Sequence, residues 1–123
     1  MKDSLTNNGW QLMTHNTIND KNFGEGFDGL TDTSHLKKIT LINRETDKSF
    51  DVDNIPGKQA SVKILYAIAQ TNHSQISIKQ ARTGIALFGD YALEEQQQPN
   101  SHPNIRFLID VIANNEEWLV KAE

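Results

Sequence analysis

The chain has 123 residues, no cysteine, and 12 lysines and arginines against 16 aspartates and glutamates, which gives a net charge of -4. The missing cysteines exclude a disulfide framework, a thiolate nucleophile and a thiolate metal site. The acidic balance argues against a nucleic-acid partner, and no apolar run approaches membrane-spanning length. We therefore expect a soluble, cytoplasmic protein.

The first 21 residues are rich in asparagine and threonine and show no clear hydrophobic period. We predict a flexible arm over residues 1–21, followed by a single α+β domain over residues 22–123. In an alternative reading, the clustered apolar residues Trp10, Leu12 and Met13 anchor the arm on a neighbouring subunit or a partner.

Two alternating segments predict the first strands. Lys38–Asn43 is β-branched, and Ser49–Asp53 places Phe50 and Val52 on one face. The polar segment Arg44–Lys48 is short enough to close a hairpin between them. Before the hairpin, three apolar residues at intervals of four and three predict a short helical turn: Phe23, Phe27 and Leu30.

The segment Pro56–Gln70 opens with a proline-glycine turn and continues as the clearest amphipathic helix of the chain. Its apolar stripe has the three-and-four spacing of a helix and consists of Val62, Leu65, Ile68 and Ala69. Lys63 falls on the other side. Burial of Leu65 or Ile68 should contribute roughly 1.5–3 kcal/mol each, so we expect the rest of the domain to pack on this helix.

A capping box at Ser77–Gln80, with Ile76 as its staple residue, predicts the start of a second helix. One face of that helix carries Ile78, Ala81, Ile85, Phe88 and Ala92. Gly84 lies inside it, where a missing side chain would let another helix approach. The polar run Glu94–Asn100 is expected to carry the chain outward.

The third helix is predicted to start at Ser101–Asn104, because proline is tolerated in a first turn. Its stripe consists of Ile105, Leu108, Ile109 and Ile112. Glu117–Ala122 alternates and predicts a last strand. The fold class is thus α+β, a small antiparallel sheet made of the hairpin plus the C-terminal strand, with three amphipathic helices packed on one face.

Three short words of the sequence carry a resemblance: PGKQ at Pro56–Gln59, GIALF at Gly84–Phe88 and HPNI at His102–Ile105. In these words, and from about His35 to the C-terminal strand, the chain resembles the family of small bacterial proteins called domain of unknown function 2322. The resemblance does not extend to the arm. It implies a single compact bacterial domain, and no activity or site residue comes with it.

The start of the first helix is a candidate anion site. Free N–H groups and the positive end of the helix dipole meet there at Gly57, Lys58 and Gln59, where a phosphate or carboxylate could bind. The spacing of a P-loop is absent, and the same residues serve equally well as a turn, a cap and a solvated charge.

His102 lies beside a turn and a helix start, where it could bind a ligand or relay a proton. The alternative is that its side chain caps the helix. The other histidines are scattered singly along the chain: His15, His35 and His73. No histidine pair has the spacing of a metal site, so we predict neither a metal nor a cofactor.

The carboxylates form no predicted acid-base pair. Asp51 and Asp53 project from a strand as a solubilising edge, and Glu94 and Glu95 are adjacent on a helix and do not face each other. We therefore name no catalytic residue.

The sequence favours a non-enzymatic protein-interaction domain, such as an inhibitor, adaptor or assembly factor. A homo-oligomer belongs to the same class, with Trp118 or the exposed sheet edge as the contact. The alternative function is binding of a small phosphate- or carboxylate-bearing ligand at the helix start Pro56–Lys58, with Gln59 and His102 contributing.

Overall fold

A computed structural model of the protein describes residues 22–123. The elements in chain order are a 3₁₀ turn Phe27–Gly29, β1 Lys38–Asn43, β2 Ser49–Asp53, α1 Gln59–Gln70, β3 Gln75–Ile76, α2 Ile78–Phe88, α3 Asp90–Gln97, α4 Pro103–Asn114 and β4 Trp118–Ala122. The predicted α+β class is confirmed. The predicted arm over residues 1–21, with Trp10, Leu12 and Met13, lies outside the described residues.

The strands form one antiparallel sheet in the order β2-β1-β4-β3. The central residue Leu41 of β1 pairs with Phe50 on one side and with Val120 on the other. Alternate β1 residues are buried, as a strand with one face on a core requires. The predicted hairpin and C-terminal strand are confirmed.

The two-residue strand β3 was not predicted. It follows His73 and Ser74, which both adopt positive φ (53° and 66°), and its residues Gln75 and Ile76 pair with β4. Ile76 is fully buried. Two residues are too few to show an alternating pattern, so this segment was interpreted only as a break and a helix staple.

The helices cover one face of the sheet, and the predicted role of Gly84 is confirmed. A side chain at this position would place its Cβ 2.8 Å from Leu108 Cδ1 of α4 and 3.0 Å from Ile68 Cδ1 of α1. The three helices meet there because glycine leaves the space. In α1 the buried residues are Val62, Ile64, Leu65, Ile68 and Ala69, which confirms the predicted stripe.

The second predicted helix is in fact two helices. The capping box is present, with the Ser77 N–H donating to Gln80 Oε1 at 3.1 Å, but α2 ends at Phe88. Gly89 then adopts φ +61°, and a Cβ there would lie 2.2 Å from the carbonyl oxygen of Asn22. The segment after Asn22 therefore occupies the space that a continuous helix would need. Of the predicted stripe, Ile78 and Ile85 are only half-buried.

Trp118 lies in the core and is 8% exposed. Its ring meets those of Phe50 and Phe107 edge-on, at centroid distances of 5.6 and 5.0 Å. This ring is therefore not available as the surface contact suggested from the sequence. At the sheet edge, Asp51 is exposed and accepts hydrogen bonds from Thr40 Oγ1 at 2.7 Å and Lys38 Nζ at 3.2 Å.

Candidate functional site

The residues of the predicted anion site lie on an exposed turn before α1. Gly57 adopts φ +91°, and Gly57, Lys58 and Gln59 are all exposed. The Lys58 N–H donates to the carbonyl of Ile55 at 2.9 Å, and the helix start has no side-chain cap. Backbone geometry alone therefore builds this turn.

His102 precedes α4 and makes its contacts with α3. Its Nε2 lies 2.8 Å from Glu94 Oε1, and its ring meets that of Tyr91 edge-on at 5.6 Å. The side chain does not cap α4, so that alternative is wrong. These contacts and those of Lys58 describe two different places in the fold.

Glu95 is fully buried and organises the connection between α3 and α4. Its Oε1 accepts the N–H of His102 at 2.6 Å, and its Oε2 accepts the N–H of Asn100 at 2.6 Å and Nε of Arg106 at 2.7 Å. Asn100 adopts φ +74°, which turns the chain around the carboxylate. The expectation that Glu94–Asn100 simply leads outward is therefore wrong, because this segment folds back onto a buried charge.

Burial of the Glu95 carboxyl acts to raise its pKa, but the hydrogen bonds from Asn100, His102 and Arg106 outweigh that effect and lower the pKa below its ordinary value. The group therefore stays a carboxylate at neutral pH. Because each oxygen is engaged by the protein itself, the arrangement suits a fixed structural charge that joins two helices.

The outer side of α3 exposes a large apolar residue. Leu93 is 56% exposed, and Asp90 and Gln97 lie one turn before and after it on the same side of the helix. Glu94 follows and leads round to His102. We call Asp90, Leu93, Glu94, Gln97 and His102 the α3 surface.

Sequence reasoning missed Glu95, its partner Arg106 and the exposed Leu93. A signal for Glu95 was present, since it follows Ala92 by three residues and so continues the buried stripe of Phe88 and Ala92. A glutamate there suggested surface, because unpaired glutamates are almost never buried. The arginine that pairs with it lies 11 residues later, beyond a turn whose path the sequence does not show.

Two searches of residues 22–123 gave negative results. None of the helices in this range combines the length and apolarity needed to cross a membrane. Nor does this part of the chain bring together three or more histidine, aspartate or glutamate side chains in a group that could hold a metal ion.

Comparison with known proteins gives one match. The model of a family described as "Uncharacterized protein conserved in bacteria (DUF2322)" matches residues 23–122, which include the whole sheet, the four helices and the α3 surface. No curated protein matches the chain, and no solved structure matches it.

Proposed function

The chain belongs to the bacterial family called domain of unknown function 2322, and we propose that it is a non-enzymatic, cytoplasmic protein-interaction domain that binds its partner through the α3 surface. The observation that carries the proposal is Leu93, a leucine 56% exposed in the middle of a helix. Apolar side chains presented within a polar rim are typical of contact sites between proteins. The cysteine-free composition supports the cytoplasmic location.

The way α3 is fixed supports a role for its outer face. The buried pair of Glu95 and Arg106 ties α3 to α4, and the backbone of Asn22 accepts a hydrogen bond from the Asp90 N–H at 2.8 Å. A buried ion pair is a poor source of net stability but can fix one arrangement of packed elements. Leu93 is therefore presented on a positioned helix, which reduces the entropy cost of binding.

Charge supports a partner with a basic contact surface. Asp90 and Glu94 flank Leu93, and the whole chain carries a net charge of -4. Acidic groups around an apolar contact steer association with a basic surface and contribute to specificity.

The test compares two exposed apolar residues. Leu93→Ser and the matched control Ile55→Ser remove side chains that are 56% and 47% exposed in the wild type. Full-length protein is purified gently from its own host, and native mass spectrometry then reports bound polypeptides and subunit number. We expect Leu93→Ser to lose a stoichiometric second polypeptide that wild type and Ile55→Ser retain. Retention of that polypeptide by Leu93→Ser would contradict the proposal, as would a wild-type protein found only as a bare monomer.

The alternative, a small-anion binder at Gly57, Lys58 and Gln59, stays a prediction. Its support is the uncapped start of α1, whose first N–H groups face a lysine on an exposed turn. The same spectra test it. A small anionic adduct that disappears in Lys58→Ala, with an unchanged melting temperature, would favour this alternative over the interaction domain.

A further inference from the structure

A cavity of about 410 Å³ lies beside α3, in the segment that enters the domain. Its size is within the range of small-ligand sites. One continuous stretch lines it: Phe23, Gly24, Glu25, Gly26, Phe27, Asp28 and Gly29. The cavity therefore lies in a part of the chain that no function has yet been given.

Aromatic rings join this cavity to α3. Phe23 stacks on Phe27 with a centroid distance of 4.1 Å and an interplanar angle of 9°, and it also meets Tyr91 of α3 at 5.0 Å. Phe27 is buried in the core, so the stack has a fixed base. A partner seated on α3 is thus next to the cavity.

Close backbone contacts hold the cavity wall in place. The Gly24 N–H donates to the carbonyl of Leu87 at 2.9 Å, and a Cβ at Gly24 would lie 1.9 Å from the carbonyl oxygen of Ala86. The Phe27 N–H donates in turn to the Gly24 carbonyl at 3.2 Å. The wall is therefore anchored on the end of α2 and is formed before any ligand arrives.

The lining has charge of one sign. Glu25 and Asp28 are exposed carboxylates, and the lining contains no basic residue. Carboxylates beside an aromatic surface suit a cation carried on an alkyl stem, since the stem packs on the rings while the charged head meets the carboxylates. A guanidinium fits especially well because it can face two acceptors and stack on an aromatic ring.

We propose that this cavity binds an arginine or lysine side chain of the protein that docks on Leu93. This inference rests on the proposed function of the α3 surface and adds a second contact to it. The partner would then present an apolar residue and a neighbouring basic residue to α3 and to the cavity respectively.

The probe for the experiment is N-acetyl-arginine methylamide, and its neutral isostere N-acetyl-citrulline methylamide is the control ligand. Titration of the ¹⁵N-labelled full-length protein is followed by amide NMR shifts. Three of the seven glycines of the chain line the cavity, and their amide signals fall in a distinct region of the spectrum. We expect saturable shifts at Gly24, Gly26 and Gly29 with the arginine probe, and none at Gly57.

Charge-matched variants identify the carboxylates. Glu25→Gln combined with Asp28→Asn should weaken the arginine probe by about fivefold, as expected for the loss of two partly solvated ion pairs. Glu45→Gln combined with Asp47→Asn makes the same change in net charge on the exposed β1–β2 turn and should leave the affinity unchanged.

Three results would overturn the inference: no saturable shift at the cavity glycines, an equal response to the citrulline compound, or equal weakening by both double variants. Leu93→Ser should bind the arginine probe as the wild type does. If Leu93→Ser loses the partner while the wild type fails to bind the probe, the cavity inference is wrong and the interaction function stands.

Discussion

Helix α1 buries five apolar side chains along its 12 residues, whereas the 8-residue α3 buries one alanine and one glutamate. Apolar burial stabilises in proportion to the area removed from water, and many contacts share the effect. A buried carboxylate is favourable only while its hydrogen-bond partners are all in place. The position of α3 therefore depends on a few individual groups, and that of α1 on a whole face.

This difference matches what each helix does in the fold. The buried face of α1 packs on the sheet and on α2 near Gly84, so α1 belongs to the scaffold. Helix α3 needs only Ala92 and Glu95 to hold it, which leaves most of its surface outside the core. A helix attached in this way can be fixed in orientation and still present Leu93 to a partner.

The largest expected effect is on α1. Leu65→Asp places a charge at a fully buried position, and we expect a loss of about 5 kcal/mol or more in the free energy of unfolding, enough to unfold most small domains. Lys63→Ala changes a half-buried residue of the same helix and should alter stability by less than about 0.5 kcal/mol. Circular dichroism during thermal unfolding distinguishes them, and equal melting temperatures would show that apolar packing does not hold α1.

The next effect tests the attachment of α3. Glu95→Ala leaves Arg106 and the N–H groups of Asn100 and His102 without their buried acceptor, so we expect the melting temperature to fall by about 10 °C or more. Glu94→Ala is the control, because that side chain is 50% exposed and contacts only the rim of the cluster through His102. A fall of similar size in both variants would mean that the buried charge has no special role.

The scaffold could be predicted from the sequence because its signals are periodic. The α1 stripe, the hairpin and the alternating β4 each repeat over several residues, and the core of the structure uses the same residues. The break after Phe88 was missed because it depends on Asn22, which packs against Gly89 from a distant part of the chain. Local pattern contains no information about such a contact.

The candidate site was less predictable for the same reason. His102 was singled out because it stands beside a turn, but its contacts with Glu94 and Tyr91 depend on how α3 returns towards α4. Glu95 and Arg106 can be recognised as a pair only once that return is known. Sites built on tertiary charge pairs therefore need the structure, whereas apolar faces can be found without it.

The smallest effect concerns acid. The pKa of Glu95 is lowered in the folded protein, because its hydrogen bonds outweigh the opposite effect of burial. A lowered folded pKa gives stability that is fully present above the unfolded value of about 4.3 and is lost as the pH falls through the folded value. The wild type should therefore lose stability below about pH 4.3 more steeply than Glu95→Gln, which has no carboxylate to protonate.

Urea unfolding of both proteins at pH 7, 5 and 3 measures this contribution. The pKa of Asp32 is also lowered, by hydrogen bonds from Ser34, and that of Asp51 by hydrogen bonds from Thr40 and Lys38, but these groups are present in both proteins and cancel in the comparison. We expect the advantage of the wild type over Glu95→Gln to be the same at pH 7 and pH 5 and smaller at pH 3. An advantage that stays constant to pH 3 would mean that α3 does not depend on the ionised form of Glu95.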